Sequence, residues 1–353
     1  MTTQKELAKV AGVSAGTVSN VISGSTVVSD RTRKKVLNAI RALGYRPNLI
    51  ARSLKTNKTN TLAIVIPEIT NPFFPKLVRG AGLAAREHGR FLIVVDTDED
   101  AVLELELISM LQSQRVDGIL LVSATGDWSA GDNLALLQSG PPILCLDRVP
   151  RGLSVDSVSI DSRAAAAMGV GHLLSMGHRR IAVVTGPLNL AHERERLSGY
   201  RQALQRAGIN TQDSLIWAST FDPKAIAEAC HKGLLLPSDR PSALFSTNGF
   251  VALEALRSIY SAGLRTPEDI AFATIDEIAS SDFFQPAITT VVQPIFEMGY
   301  RAAEALLERI DKGDALGTPR KERLSPKLVV RTSSSFVHRA PSRKQASNKG
   351  QKM

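Results

Sequence analysis

Between Thr3 and Leu54 the apolar positions recur three and four residues apart, the spacing of helices that bury one face. Leu7, Ala8, Val10 and Ala11 make the first stripe, which Thr3 opens with Glu6 three residues on, a capping box, and Gly12 closes. Ser14 can cap a second helix carrying Val18, Val21 and Ile22 on one face, and the break at Gly12-Val13 predicts a helix-turn-helix. Ser29 or Asp30 opens a third helix with Val36, Leu37, Ile40 and Leu43 inward and Gly44 as its C-terminal glycine. Three helices around one small core are expected over residues 1–46.

Residues 47–60 read as a hinge and linker. Pro47 suits a first helical turn, and Ala51 and Leu54 share a face at i, i+3. A short helix with one exposed leucine is a poor fold element alone. It can form when two copies pair, with Leu54 then wedged between base steps of a minor groove; a plain linker with Leu54 packed on the body is the competing reading.

From Thr61 the pattern changes. Short apolar runs at 62–66, 91–95, 119–122 and 143–146 predict buried parallel strands, separated by helical stretches at about 74–87, 102–112 and 133–137. The rhythm restarts with helix 162–174, strand 181–184, helix 195–206, strand 243–246, helix 251–261 and strand 270–275. Alternating strands and helices predict an α/β core of two doubly wound lobes over residues 61–330, with a ligand cleft between them.

Charge sharpens this division. The chain has 353 residues and a net charge of +9; residues 1–58 hold 11 Lys and Arg against Glu6 and Asp30, and residues 331–353 hold six with no acid, so the middle carries −6. A basic head on an acidic body suits phosphate neutralisation by one small domain. The basic segment 331–353 is expected to be a disordered tail. No apolar run approaches the ~20 residues of a membrane helix and the N-terminus lacks a signal-peptide region, so a cytoplasmic protein without a membrane partner is expected. Cys145 and Cys230 lack metal-ligand spacing and read as reduced core thiols. With no metal cluster, nucleophile–base pair or phosphate loop, neither an enzyme nor a cofactor is expected.

Candidate chemistry falls in two places. Ala15, Gly16, Thr17, Ser19 and Asn20 would form the groove-facing surface of the second helix: small residues allow close approach, Thr17 and Ser19 can bond phosphates, and the Asn20 amide can pair with adenine. Thr3, Ser14, Ser29, Asn48, Ala51 and Leu54 complete the DNA-facing set. In the body, Asp147, Asn248 and Asp276 each end a predicted strand, where an open α/β sheet binds its ligand.

These segments together are similar to the lac repressor and galactose repressor (LacI/GalR) family of bacterial transcription factors. The resemblance rests on AGVSAGTVSNVISG, VSDRTRKKVLNAIRALGYRPNLIARSL, IPEITNPFF, SMGHRRIAVVTGP, RLSGYRQAL, TPEDIAF and ITTVVQP, and covers nearly all of residues 3–335. It implies a helix-turn-helix head on a periplasmic-binding-protein-like core that the chain crosses three times. Lobe 1 would hold about 61–160 and 289–318, and lobe 2 about 161–288 and 319–330. A homodimer on a pseudo-palindromic double-stranded operator is also implied, as is a small-molecule effector, a sugar or sugar derivative best fitting the polar and aromatic set. The resemblance adds Phe73, Arg196 and Phe221 to the effector site, with Asp161 and Gln293 in a second rank; His172 and His178 read as structural. Asp147 beside Arg148 also fits a surface ion pair, and Phe73 and Phe221 ordinary core. Where the family often has arginine the helix has Asn20, and the cleft reads Asn248-Gly249 and Thr274-Ile275-Asp276, so neither operator sequence nor effector identity transfers. An effector-controlled repressor is the leading reading, beside a corepressor-dependent regulator or activator and a sugar-binding module or enzyme.

Overall fold

A computed structural model describes residues 3–22, 27–45, 58–129, 140–234, 240–278, 285–313 and 318–335. The hinge positions Asn48, Ala51 and Leu54, the helix expected at 133–137 and the tail beyond Ser335 lie outside them. The chain divides into two units, residues 1–59 and 60–353.

The head is built of α1 (Gln4–Ala11), α2 (Ala15–Ile22) and α3 (Asp30–Leu43). Thr3 and Glu6 form the reciprocal capping box, and Gly12 and Gly44 end their helices in the left-handed region, where glycine avoids the Cβ clash. Leu7, Ala11, Val18, Val21 and Val36 fill the core. Val10 and Leu37 are exposed, and Ala39 and Tyr45 are buried in the core instead.

Lobe 1 contains β1 (Thr61–Ile66), α4 (Phe73–Glu87), β2 (Phe91–Asp96), α5 (Ala101–Ser113), β3 (Gly118–Leu121), β4 (Ile143–Leu146) and β5 (Asp156–Ile160). Lobe 2 continues with α6 (Ser162–Ser175), β6 (Ile181–Thr185), α7 (Ala191–Arg206), β7 (Ile216–Ala218), α8 (Pro223–Leu234), β8 (Ala243–Ser246), α9 (Gly249–Ser261), β9 (Ala271–Ile275) and β10 (Thr289–Val292). The chain then returns to lobe 1 as α10 (Ile295–Lys312) and β11 (Lys321–Leu324), and ends in lobe 2 with β12 (Lys327–Val329). Strand order is β11-β5-β4-β3-β1-β2 in one sheet and β12-β10-β9-β8-β6-β7 in the other. All described pairings are parallel except β12 against β10.

The lobe boundaries differ from expectation at two strands. β10, expected in lobe 1, pairs with β9; β11, expected in lobe 2, pairs with β5. Proline sets both crossings: Pro294 and Pro326 follow Val292 and Leu324 closely, and a residue without N–H cannot extend the ladder.

Most predicted strands are fully buried, as both-face coverage by helices requires. β2 departs from this: Phe91 is 65% exposed, and Ile93 and Val94 are also exposed, on the edge strand of the first sheet. On the same lobe α4 and α10 touch backbone to backbone, because a Cβ at Gly80 would stand 2.0 Å from the Phe296 carbonyl oxygen and one at Gly299 2.1 Å from that of Leu77. No described helix is long and apolar enough to cross a membrane. Cys145 and Cys230 are free and buried, and burial pushes the Cys230 thiol up to about 12.

Candidate functional site

In the head, the hydroxyls expected to face DNA do local work first. Ser14 Oγ accepts from the Thr17 amide at 3.1 Å, and Ser29 Oγ from the Thr32 amide at 3.4 Å, so both are N-caps, as is Thr3. Ala15, Gly16 and Asn20 are exposed on α2, whereas Thr17 and Ser19 are half-buried. Nothing within the head requires glycine at 16: an added Cβ would meet only Ser14 Oγ, at 3.7 Å.

In the core, a cavity of about 190 Å³ lies between the lobes at the carboxyl ends of the strands, and Phe73, Asp147, Arg196, Phe221, Asn248 and Asp276 all line it. The two aspartates are placed in parallel ways. Each follows a strand, β4 or β9, and has positive φ, 56° for Asp147 and 69° for Asp276. The amide of Asp147 donates to Val158 O at 2.9 Å, and that of Asp276 to Val291 O at 3.0 Å. The neighbouring strand thus holds a left-handed backbone that a non-glycine residue adopts only at a cost of about 1–3 kcal/mol, a form of strain that collects at binding sites.

The polar groups are only partly satisfied. Gln293 Nε2 donates to Asp276 Oδ1 at 2.6 Å and Arg196 Nη1 to Thr247 O at 3.0 Å. Asp147 Oδ1, His192 Nδ1, Arg196 Nε and Gln293 Oε1 are buried without a hydrogen-bond partner, a state that interiors avoid unless something else supplies the bond. Burial pushes the Asp276 carboxyl up to about 6, with Arg196 opposing and Asp147 adding to the rise.

Asn248 has a second duty. Its Oδ1 caps α9 by accepting from the Val251 amide at 2.9 Å while Nδ2 donates to Glu193 at 2.9 Å, so only part of its amide remains for a ligand. Gln293 supports Asp276 but lines an adjoining cavity with Lys76, Glu277 and Phe296. Asp161 does not line the cleft: it caps α6, accepting from the Ala164 amide at 2.9 Å, its own amide bonded to Leu324 O at 3.3 Å. His172 and His178 bond Ser334 and Ser242 within lobe 2.

Sequence reasoning missed Arg148, His192 and Glu193. Arg148 forms no pair with Asp147. Its two amino groups bind Glu99 at 2.7 and 2.9 Å, and its guanidinium lies 5.7 Å from the Phe74 ring centre in lobe 1 and 5.3 Å from that of Phe221 in lobe 2. Its place directly after a strand-end aspartate was the available signal. The lobes also meet at the rim, where a Cβ at Gly126, after β3, would stand 2.0 Å from Asn189 O, after β6.

The whole chain has close counterparts. Residues 3–48 match the family model described as bacterial regulatory proteins, lacI family, and residues 59–330 the one described as periplasmic binding proteins and sugar binding domain of LacI family. The ribose operon repressor of Escherichia coli K12 is 34% identical over 334 residues, covering 95% of this chain and 100% of that one. The HTH-type transcriptional repressor PurR of Photobacterium profundum is 33% identical over 94% and 98%. Among solved structures, the lac repressor dimer bound to operator and the anti-inducer ONPF superposes with a TM-score of 0.83 at 26% identity, covering 95% and 99%.

Proposed function

The chain belongs to the lacI family of bacterial regulatory proteins, a family of DNA-binding transcriptional regulators, and on that premise we propose that it represses transcription under the control of a small neutral sugar held between its lobes. The observation that carries the ligand class is the unsatisfied set around the cavity. Asp147 Oδ1 accepts, Arg196 Nε donates, and His192 Nδ1 accepts in the neutral ring whose Nε2 donates to Glu193. Ligand hydroxyls, which both donate and accept, complement all three, and Phe73 and Phe221 offer faces to an apolar sugar surface.

Charge favours a neutral ligand. Asp147, Asp276 and Glu277 line the cavity beside Lys76, Arg148 and Arg196, so its formal charges balance, and the Arg148 fork is engaged by Glu99 and one Arg196 amino group by Thr247 O and Glu193. A phosphate or carboxylate would meet these acids without an open guanidinium fork. The similarity to the ribose operon repressor makes D-ribose the first sugar to test.

DNA is read by the exposed face of α2 around Ala15, Gly16 and Asn20, with Thr3, Ser14, Thr17, Ser19 and Ser29 toward the backbone and Asn48, Ala51 and Leu54 in the hinge. The protein works as a cytoplasmic homodimer on a pseudo-palindromic operator. The exposed apolar strand β2 supports pairing of two copies, since a bare apolar sheet edge invites a partner. A gel-shift titration against the DNA upstream of its own gene, at two salt concentrations and with and without D-ribose, tests the reading. Expected are salt-dependent retention and a change in operator affinity on adding sugar; the direction of that change separates induction from corepression. No retention of any such fragment refutes it.

A further inference from the structure

Glu193 stands in the first turn of α7, fully buried, and does not line the cavity. Its carboxylate nevertheless touches the groups that do. Oε1 accepts from Asn248 Nδ2 at 2.9 Å and lies 3.4 Å from Arg196 Nη1 and 3.5 Å from His192 Nε2. Oε2 accepts from Thr247 Oγ1 at 2.6 Å and from the Gly186 amide at 3.2 Å. One side chain therefore joins the ends of β6 and β8, the cap of α9 and the only arginine that α7 contributes to the cavity lining.

A buried carboxylate is expensive to desolvate, and an apolar residue of its volume would usually serve stability as well. Its partners here are instead cleft residues. Burial alone would raise the Glu193 carboxyl, but the His192 hydrogen bond and the Arg196 charge bring it down to about 2, so it stays ionised and its bonds are charge-assisted.

We propose that Glu193 is the positioning residue of the lobe 2 half of the effector site, holding Arg196 and Asn248 in ligand-ready orientation before any ligand arrives. It directs one Asn248 donor inward, which leaves the other for the cleft. It also takes Arg196 Nη1 together with Thr247 O, which leaves Nε to the ligand. The inference rests on reading this cleft as the effector site. It goes further in assigning ligand affinity to a residue that the ligand does not touch.

Two measurements on the full-length protein test it. The first uses no ligand: in crystal structures of wild type and Glu193→Gln, the variant should lose the bond from Arg196 Nη1 to Thr247 O or reorient the Asn248 amide, because a glutamine amide presents donors to donors. Unchanged positions of both side chains would overturn the proposal. The second is calorimetric titration with D-ribose from pH 5 to 8, in which Glu193→Gln should weaken binding by about tenfold or more, the scale of a lost hydrogen bond to a charged group.

The pH profile separates positioning from a general loss of fold. Around Asp276 stand Arg196, Glu193 and His192 from α7, Asp147 and Arg148 beyond β4, Lys76 from α4, Glu277 beside it and Gln293 at the crossing. Removing the Glu193 charge takes away one of the influences that raise the Asp276 carboxyl, with burial and Asp147 still acting against Arg196, so the acid limb of the affinity profile should move to lower pH. Uniform weakening without that shift contradicts the proposal. Should Glu193→Gln fail to fold, Thr247→Val removes only the 2.6 Å bond and leaves the Glu193 charge in place, so it should weaken affinity by less without moving the acid limb; wild-type affinity there is again contrary. If wild type binds no sugar, the sugar reading falls and the ligand-free structures still decide the wiring.

Discussion

Asp276 concentrates the tension between stability and binding in a single residue. Its folded carboxyl titrates near 6 against an ordinary 3.8, so the folded core holds that proton more tightly than the unfolded chain, and stability falls as pH rises from about 4 to 6. Glu193 works in the opposite sense: held down to about 2 from 4.5, it adds stability above pH 4.5 that is lost on acidification toward 2. At pH 7 the Asp276 penalty is roughly 3 kcal/mol, at ~1.36 kcal/mol per pH unit. Asp276→Asn should therefore raise the Tm of the ligand-free protein at pH 7 by a few degrees while abolishing D-ribose binding, as scanning calorimetry and titration calorimetry would show; a lower Tm would contradict the account. In the head, Gly16→Ala should leave the melting of the isolated chain unchanged or higher, since alanine favours a helix by up to about 1 kcal/mol, yet weaken operator binding about tenfold in an anisotropy titration. Equal operator affinity would remove Gly16 from the groove. Residues at strand ends were legible because the topology of an open sheet sends ligands there. Asp161, a second-rank candidate, caps α6 instead: an acid that precedes a helix looks alike in sequence whether it caps the helix or faces a cleft. Glu193 was illegible because its role depends on Thr247 and Asn248, more than fifty residues away in the sequence, and no local pattern marks that.

Elements with strong periodicity were read closely, including α1 and the central strands β1, β3, β4, β6, β8 and β9. Short strands at or next to a sheet edge were not. β5 reads DSVSI, β7 IWA and β11 KERL, and such mixed runs of three to five residues carry too little alternation to stand out from loop. The reverse failure is β2, whose run FLIVVD promised a buried strand but is open along much of its length. β2 looks like core in sequence and like surface in the folded chain, which fits the proposed homodimer, in which a second copy of the strand would cover it. Ile93→Lys should accordingly shift the sedimentation of the protein from dimer toward monomer and weaken operator binding, with a circular dichroism spectrum unchanged from wild type. An undiminished dimer would place the interface on another face.

For the core as a whole, the described arrangement brings the lobes into contact at their rims as well as around the cavity. Arg323 on β11 lies 3.3 Å from Glu195 on α7, and the Gly126 backbone abuts Asn189 so closely that no side chain fits between them. Gly126→Ala should push the rims apart, enlarge the radius of gyration in small-angle scattering and weaken D-ribose binding, because a ligand that contacts both lobes favours the closed arrangement. Unaltered scattering and affinity would mean that the rim contact is no part of closure. The two-lobed architecture was legible from the restart of the strand–helix rhythm, whereas the exact crossings were not, since they depend on which sheet edge each late strand finds. Those crossings also order events during synthesis. α10 supplies Met298, Ala302, Ala303, Leu306 and Leu307 to the main core, and β11 and β12 close one edge of each sheet, so lobe 1 cannot be completed before all of lobe 2 up to β10 has been translated. A ribosome stalled at residue 290 would hold two unfinished lobes rather than one finished and one pending, and a nascent chain of this topology keeps core surface uncovered until its final strands emerge.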